Sequence, residues 1–345
     1  MLNVAAISSG KYSPAARFRI RQYINKLREF NISVTEYYPI IPKHKPLPFL
    51  SGKVSYKKIL PLYIFWYGLK LLSRLPNIIG SWKHEVTWLE RGLLPRIYSL
   101  ERYLKHPLVL DVDDAIFSIS IGNSAANIAK VSDKIIVGND FLANWYERFN
   151  KEINIIPTAI DTDIYKPFDN ISSDTDFIIG WIGTSGNYIY LSELFDVIKK
   201  FLDTHKAKFY IMSNKPPKFS HERLRYFKWD PSHECKFINK IDVGIMPLKD
   251  DIWSRGKCAF KMLQYMAFEK PVVVSPVGMN KKILEEATVG FGPTNDRDWY
   301  DALEFLYKNR DTGIFLGKKG RKLVIEHYSV DVIAPKIARV FNSLL

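Results

Sequence analysis

The 345-residue chain has only two cysteines, Cys235 and Cys258. They form no Cys-x-x-Cys pair and no useful histidine stands near them, which argues against a disulfide scaffold and a zinc site and points to a reducing compartment. A long uninterrupted apolar run is also missing. The greasiest stretch, Ile59 to Ile79, is broken by Pro61, Gly68, Lys70, Arg74 and Pro76, so it falls short of the roughly 18 apolar residues that a spanning helix needs. Such a segment suits the surface of a membrane rather than its interior. Met1 leads straight into the strand-like LNVAAIS, without the basic start and cleavage pattern of a secretory leader. No repeat of solenoid length is present. Acidic residues are scarce in one region: residues 1–110 hold 18 Lys and Arg against 5 Asp and Glu, a net of +13 out of +14 for the whole chain. An excess this one-sided, beside an aromatic segment, favours an anionic surface such as phospholipid. The expected location is cytoplasmic, peripheral on the inner face of the cell membrane.

What is present suffices for two packed cores, since 47% of residues are hydrophobic and 14% aromatic. NVAAIS, a helix carrying Phe18, Ile20, Tyr23, Ile24 and Leu27 on one face, and ISVTEYY make a βαβ unit. PLVLDVDD, KIIVGN, a helix around Asp140 to Phe149, and INIIP continue the alternation. The polar stretch Lys166 to Asp176 reads as a hinge linker, after which FIIGWIG opens a second αβ series. The expected fold class is α/β, two doubly wound domains facing across a cleft at the carboxyl ends of their strands. The last amphipathic stretch, with Val332, Ile333, Ile337, Val340, Phe341 and Leu344, suits either domain.

Three cations, Arg255, Lys257 and Lys261, crowd the start of a helix expected from about Cys258. Helix amino termini already carry partial positive charge and unpaired N–H groups, so added cations there are unfavourable unless an anion is bound. A diphosphate resolves the conflict; the plainer reading is a core helix with its cations in water. GWIGTSGNY, with Gly183, Thr184 and Ser185, joins a strand to a helix, a setting in which glycine admits a pyrophosphate, although the spacing is not G-x-G-x-x-G. The loop holding Gly278 is similar. In the first half, Arg17 and Arg19 near a helix start suit a phosphate or carboxylate. Asp111, Asp113 and Asp114 end a buried strand, where three carboxylates are too many for packing alone. They suit Mg²⁺, proton transfer or sugar hydroxyls, or in part a structural cap.

The ordered series SPAARFRI, DVDDAIF, KIIVGNDFLANWY, INIIPTAIDTDIYKP, IGWIGTSGNYIYL, DVGIMPL and KMLQYMAFEKPVVVSPVG resembles the retaining glycosyltransferases of family 4, within the glycosyl transferases group 1, over most of the chain. The resemblance implies the GT-B fold, with two Rossmann-like domains. Residues 1–167 would form the acceptor-binding domain, to which a helix in 326–345 returns, and residues 168–325 the nucleotide-sugar-binding domain. It implies transfer of a sugar, with retention, from a nucleotide-diphosphate sugar to a hydroxyl of a glycan or lipid-linked acceptor in polysaccharide or glycoconjugate synthesis. No cofactor and no obligatory metal are implied, because cations and helix-end N–H groups neutralise the leaving diphosphate. Carried onto this chain, the catalytic set is Arg255, Lys257, Lys261 and Asp113. The donor-binding set is Gly183, Thr184, Ser185, Trp229, Asp250, Asp251, Gln264 and Gly278, and the acceptor-binding set Arg17, Arg19 and Asp114. The family's paired glutamates are replaced by Gly256 and Gln264, so Asp250 or Asp251 is expected to meet the donor sugar, or the donor differs. Competing readings are a Mg²⁺-dependent phosphohydrolase using Asp111 and Asp113, a sugar-nucleotide epimerase of the same architecture, and a basic polyanion- or nucleic-acid-binding protein. Nucleic acid is not an expected partner, as no RNP-like or helix-turn-helix pattern occurs.

Overall fold

The computed structural model describes residues 1–47, 56–168 and 176–344. The chain divides into two compact units, Met1–Thr158 with Ile333–Leu345, and Ala159–Val332. The expected linker falls largely outside the described residues. The division lies ahead of the expected boundary at residue 167, because Ile160 bridges to Ser329 and Tyr165 reaches Glu234, both in the second unit.

The first unit is built on six parallel strands, β1 (Leu2–Ile7), β2 (Ile32–Tyr37), β3 (Val86–Glu90), β4 (Leu108–Val112), β5 (Lys134–Val137) and β6 (Ile153–Ile155), in the order β2-β1-β3-β4-β5-β6. β3 and β4 are buried along their whole length, as expected of parallel strands covered on both faces. β3 is absent from the sequence reading; VTWLE, carrying Thr87 and Glu90, does not look like a central strand. The helix expected to run through Leu27 is short, Pro14–Arg19, capped by Ser13 and ended where Ile20 leaves helical geometry (φ −124°, ψ −66°). Arg17 and Arg19 therefore occupy its last turn, where the helix dipole favours cations, rather than its start. Two helices, Tyr56–Leu72 and Leu75–Ser81, precede β3. The helix Val330–Asn342 closes this core: Phe341 meets Trp88 of β3 edge-on at 5.2 Å, and both are fully buried. Two such rings contribute about 0.5–1.5 kcal/mol beyond their buried area.

The second unit repeats the scheme with β7 (Phe177–Ile182), β8 (Ala207–Ser213), β9 (Leu224–Lys228), β10 (Val243–Met246), β11 (Val272–Val274) and β12 (Gly290–Phe291), ordered β12-β11-β10-β7-β8-β9. All pair in parallel. This is the doubly wound Rossmann order, whose direction reverses between β7 and β10. The helices Tyr188–Thr204 and Asp296–Lys308 cover one face through Leu191, Ile198, Phe201, Trp299 and Leu303. In the first unit the reversal falls between β1 and β3. Ligands of such sheets bind beyond the carboxyl ends of the strands at these two points.

Candidate functional site

At the reversal point of the second sheet, the loop after β7 begins with Gly183. A methyl group there would come within 2.7 Å of the Lys261 Cε and 2.8 Å of the Trp181 ring. The stem of Lys261 lies across this glycine, so a larger residue would have to displace it, and the ammonium stands 5.8 Å from the Trp181 ring centre. Lys261 belongs to the helix Phe260–Ala267, which starts after Ala259 in a left-handed conformation (φ 52°) and has no side-chain cap. Tyr265 of the same helix binds β7 to β10: its hydroxyl accepts from the Ile182 N–H at 3.0 Å and lies 3.4 Å from the Ile245 carbonyl. Gly183 and Lys261, singled out separately in the sequence, are thus brought side by side. Ser185 turns its N–H to Asn214 (2.7 Å), and Thr184 accepts from Asn187 (3.0 Å), so both organise the loop.

The other two cations lie differently. Arg255 forms two hydrogen bonds to Asp250, at 2.6 and 3.0 Å, which hold that carboxyl below its usual range. Both side chains are more than half exposed, so the pair adds little stability. Lys257 stands 5.4 Å from the Trp253 ring centre. Asp251 caps the short helix Ile252–Arg255 through the Ser254 N–H (2.7 Å). Gly278 (φ 54°, ψ −128°) heads the helix Met279–Glu286, and a methyl on it would approach the Arg255 carbonyl to 2.7 Å. Beside Asp250, a cavity of about 330 Å³ opens at the ends of β10, β11 and β12, lined in part by Tyr190, Glu193, Ser275, Thr294 and Asp296. Neither Gly183 nor Lys261 lines it. Its carboxylates suit hydroxyl groups rather than phosphate.

Gln264, where the resemblance leads one to expect a glutamate, is buried and donates to Glu234 at 3.2 Å. Glu234 also accepts from the Tyr165 hydroxyl (2.6 Å) and the Trp229 indole N–H (3.4 Å). A buried carboxylate is tolerable because three donors converge on it. Glu234 escaped the sequence reading; in PSHECKF it looks like a solvent-facing acid of an amphipathic helix. Trp229 and Gln264 are thereby tied to one internal network, which includes a side chain that arrives from the Ile160–Tyr165 segment.

In the first unit the acidic cluster is neutralised by arginine. Arg19 is fully buried, with hydrogen bonds to Asp111 (2.8 Å), the Ile156 carbonyl (3.0 Å) and Thr158 (3.3 Å). Its expected contact with an acceptor is therefore corrected: the guanidinium faces inward. Asp111 also accepts from Trp88 (3.0 Å); burial, opposed by Arg19 and reinforced by Asp113, pushes its carboxyl up to about 6. Asp113 and Asp114 both grip Arg91, at 2.7 and 2.6 Å. Burial alone would raise Asp113, but Arg91 and then Arg19 outweigh it and hold the carboxyl below its ordinary range. Asp113 can accept hydrogen bonds from hydroxyls, but has no proton to give at neutral pH. The three carboxylates do not form an oxygen set open to Mg²⁺, which removes the basis of the phosphohydrolase reading. Arg17 is partly exposed and lies 4.7 Å from the Phe18 ring. Among the described residues no group of three or more His, Cys, Asp or Glu side chains is arranged to hold a metal ion.

Two parallel six-stranded α/β units in tandem match the GT-B class of glycosyltransferase fold. The likeness to solved structures extends over the full chain. Sucrose-phosphate synthase from Thermosynechococcus elongatus superposes with a TM-score of 0.72 at 12% identity, covering 100% of this chain and 99% of that one. Anabaena HepE in complex with UDP-glucose gives 0.69 at 12% identity, covering 100% of both chains. WaaG, a glycosyltransferase involved in lipopolysaccharide biosynthesis, gives 0.65 at 11% identity, covering 98% and 99%. No curated protein matches the chain. Residues 176–309, which span the second unit from β7 to the helix Asp296–Lys308, match the family model of Glycosyl transferases group 1.

Proposed function

We propose that the protein transfers a sugar from a nucleotide-diphosphate donor, held by the second unit, to a hydroxyl of a glycan or lipid-linked acceptor held by the first, with retention of configuration. The observation that carries this reading is Lys261 laid across Gly183 at the reversal point of the second sheet, beside an uncapped helix start, inside the segment that matches the group 1 family. The diphosphate lies against the Lys261 ammonium and the helix N–H groups, which stabilise charge as the glycosidic bond breaks. Arg255 leaves Asp250 for the incoming diphosphate, an exchange with little penalty because the resident pair is exposed. Lys257 adds to the same field. Asp250, freed from Arg255, accepts hydrogen bonds from the sugar's hydroxyls at the neighbouring cavity. The leaving diphosphate oxygen takes the acceptor's proton, so no side-chain base is needed, and no metal is obligatory. HepE, solved with UDP-glucose, supports a uridine donor as the first to test.

Thermal shift against a panel of sugar nucleotides tests the proposal. A true donor at about 100 times its dissociation constant stabilises by about 2.7 kcal/mol. NMR of the product's anomeric proton then reports retention or inversion. A panel in which no nucleotide sugar raises the melting temperature, while free polyanions do, would favour the polyanion-binding reading instead.

A further inference from the structure

The helices Tyr56–Leu72 and Leu75–Ser81 of the first unit are inverted in polarity. Residues 59–82 contain two charged side chains, Lys70 and Arg74, and both turn inward, at 5% and 1% exposure. Lys70 donates to the Lys43 carbonyl at 2.9 Å. Arg74 donates to the carbonyls of Leu93 and Ser8, both at 2.8 Å. The outward face carries Ile64, Phe65, Leu72, Ile79 and Trp82, each between 60% and 65% exposed. Phe65 and Leu72 are seven apart on the first helix, and Ile79 and Trp82 three apart at the end of the second, so each helix presents an exposed apolar pair on one side. A helix facing water has the opposite arrangement, and an exposed apolar face marks a binding surface.

The rim says what covers it. The Trp82 indole donates to the Tyr103 carbonyl at 2.9 Å, the Lys105 ammonium stands 5.5 Å from the Trp82 ring centre, and the Arg102 guanidinium 4.9 Å from that of Tyr103. Lys83 is exposed beside them. Glu85, an exposed acid nearby, is engaged by the Asn3 backbone N–H at 2.8 Å. Trp and Tyr grouped with Lys and Arg at the end of an apolar face match the headgroup zone of a bilayer. Two copies meeting through this face would bring together cationic rims, in a region with a net charge of +13.

We propose that this face docks on an anionic bilayer, with the apolar side chains among the acyl chains and Trp82, Lys83, Arg102, Tyr103 and Lys105 at the headgroups. Because Arg74 ties the helix pair to Ser8, after β1, and to Leu93, after β3, docking holds the reversal-point loops of the first sheet at the lipid surface. On the glycosyl-transfer reading, on which this clause rests, that placement suits an acceptor carried by a lipid.

Vesicle flotation of the full chain tests the proposal, with phosphatidylcholine vesicles that contain or lack one third phosphatidylglycerol. The native protein should float with the anionic vesicles and hardly with the neutral ones. Phe65→Glu with Leu72→Glu should lower the partition coefficient about 100-fold, as each removes an exposed apolar side chain that the bilayer would take up, and Ile79→Asn alone about 10-fold. The melting temperature and vesicle-free donor hydrolysis should stay native, which shows that the fold survives. A native protein that floats but hydrolyses no donor leaves docking in place and defeats the transfer reading. Failure to float, variants that float as the native does, or a dimer by light scattering that the variants convert to monomer overturns the proposal.

Discussion

Replacing Lys261 separates its charge from its packing. The stem lies against Gly183 and Trp181, closely enough that a Gly183 methyl would fall 2.7 Å from its Cε. Lys261→Ala removes both the stem and the ammonium, whereas Lys261→Met keeps an unbranched stem of similar reach. At an effective dielectric near 20, unit charges about 4 Å apart interact by about 4 kcal/mol. Removal of one preorganised group that faces transition-state charge typically reduces kcat by about 10²–10³-fold, or about 2.7–4 kcal/mol. Both variants should therefore lose about 10²–10³-fold in the release of nucleoside diphosphate at saturating donor. Their stabilities should differ: each methylene removed from contact costs about 0.8 kcal/mol, so urea unfolding should show Lys261→Ala destabilised by about 1–2 kcal/mol and Lys261→Met by less than about 0.5 kcal/mol. A Met variant that turns over within about threefold of native would refute the assignment of the diphosphate to this corner.

Gln264→Glu would bring a second carboxylate to where the amide now sits 3.2 Å from buried Glu234. Two like charges cannot both ionise there, so the variant should lose about 2–4 kcal/mol at neutral pH, regain part of it near pH 5, and show no faster transfer. Native-like stability at pH 7.5 in urea titrations would contradict this. Lys43 offers a test with a defined sign. Burial, opposed by Glu90 and aided by Arg74 and Arg91, depresses its ammonium from 10.5 to about 7. Between those values the unfolded chain binds more protons, so the native state gains stability as pH rises above 7, by at most about 1.4 kcal/mol per unit. Unfolding free energies at pH 7 and 8.5 should show the rise in the native chain and its loss in Lys43→Met; equal slopes in both would rule out Lys43 as the source.

The alternation of apolar runs made most of both sheets legible, because parallel strands buried on both faces read as continuous hydrophobic segments. β3 was not legible: its Thr87 and Glu90 are buried through pairing, with Glu90 accepting from the Ser9 N–H and hydroxyl at 2.9 and 2.8 Å. The crowding of Arg255, Lys257 and Lys261 was legible, but the capture of Arg255 by Asp250 depends on the fold of the short helix Ile252–Arg255, at whose end Arg255 lies. The Asp111–Asp113–Asp114 cluster stood out, yet its partners lie far off in sequence, at Arg19 and Arg91. Arg91 adopts a left-handed backbone (φ 64°), which sequence alone does not announce for arginine. Glu234 was hidden because burial of a helical acid depends on three donors from other elements. The aromatic segment before residue 82 pointed to a surface role, but that Lys70 and Arg74 face inward emerges only from tertiary hydrogen bonds.

The first unit's core is closed by Phe341, packed on Trp88. During synthesis, therefore, this half must wait with its central strand only partly covered until residues 333–344 leave the ribosome, after every strand of the other half has already emerged. Its maturation waits on that late segment, and a chain cut short within residues 310–330 would carry a later half nearly finished and an earlier half open to proteases.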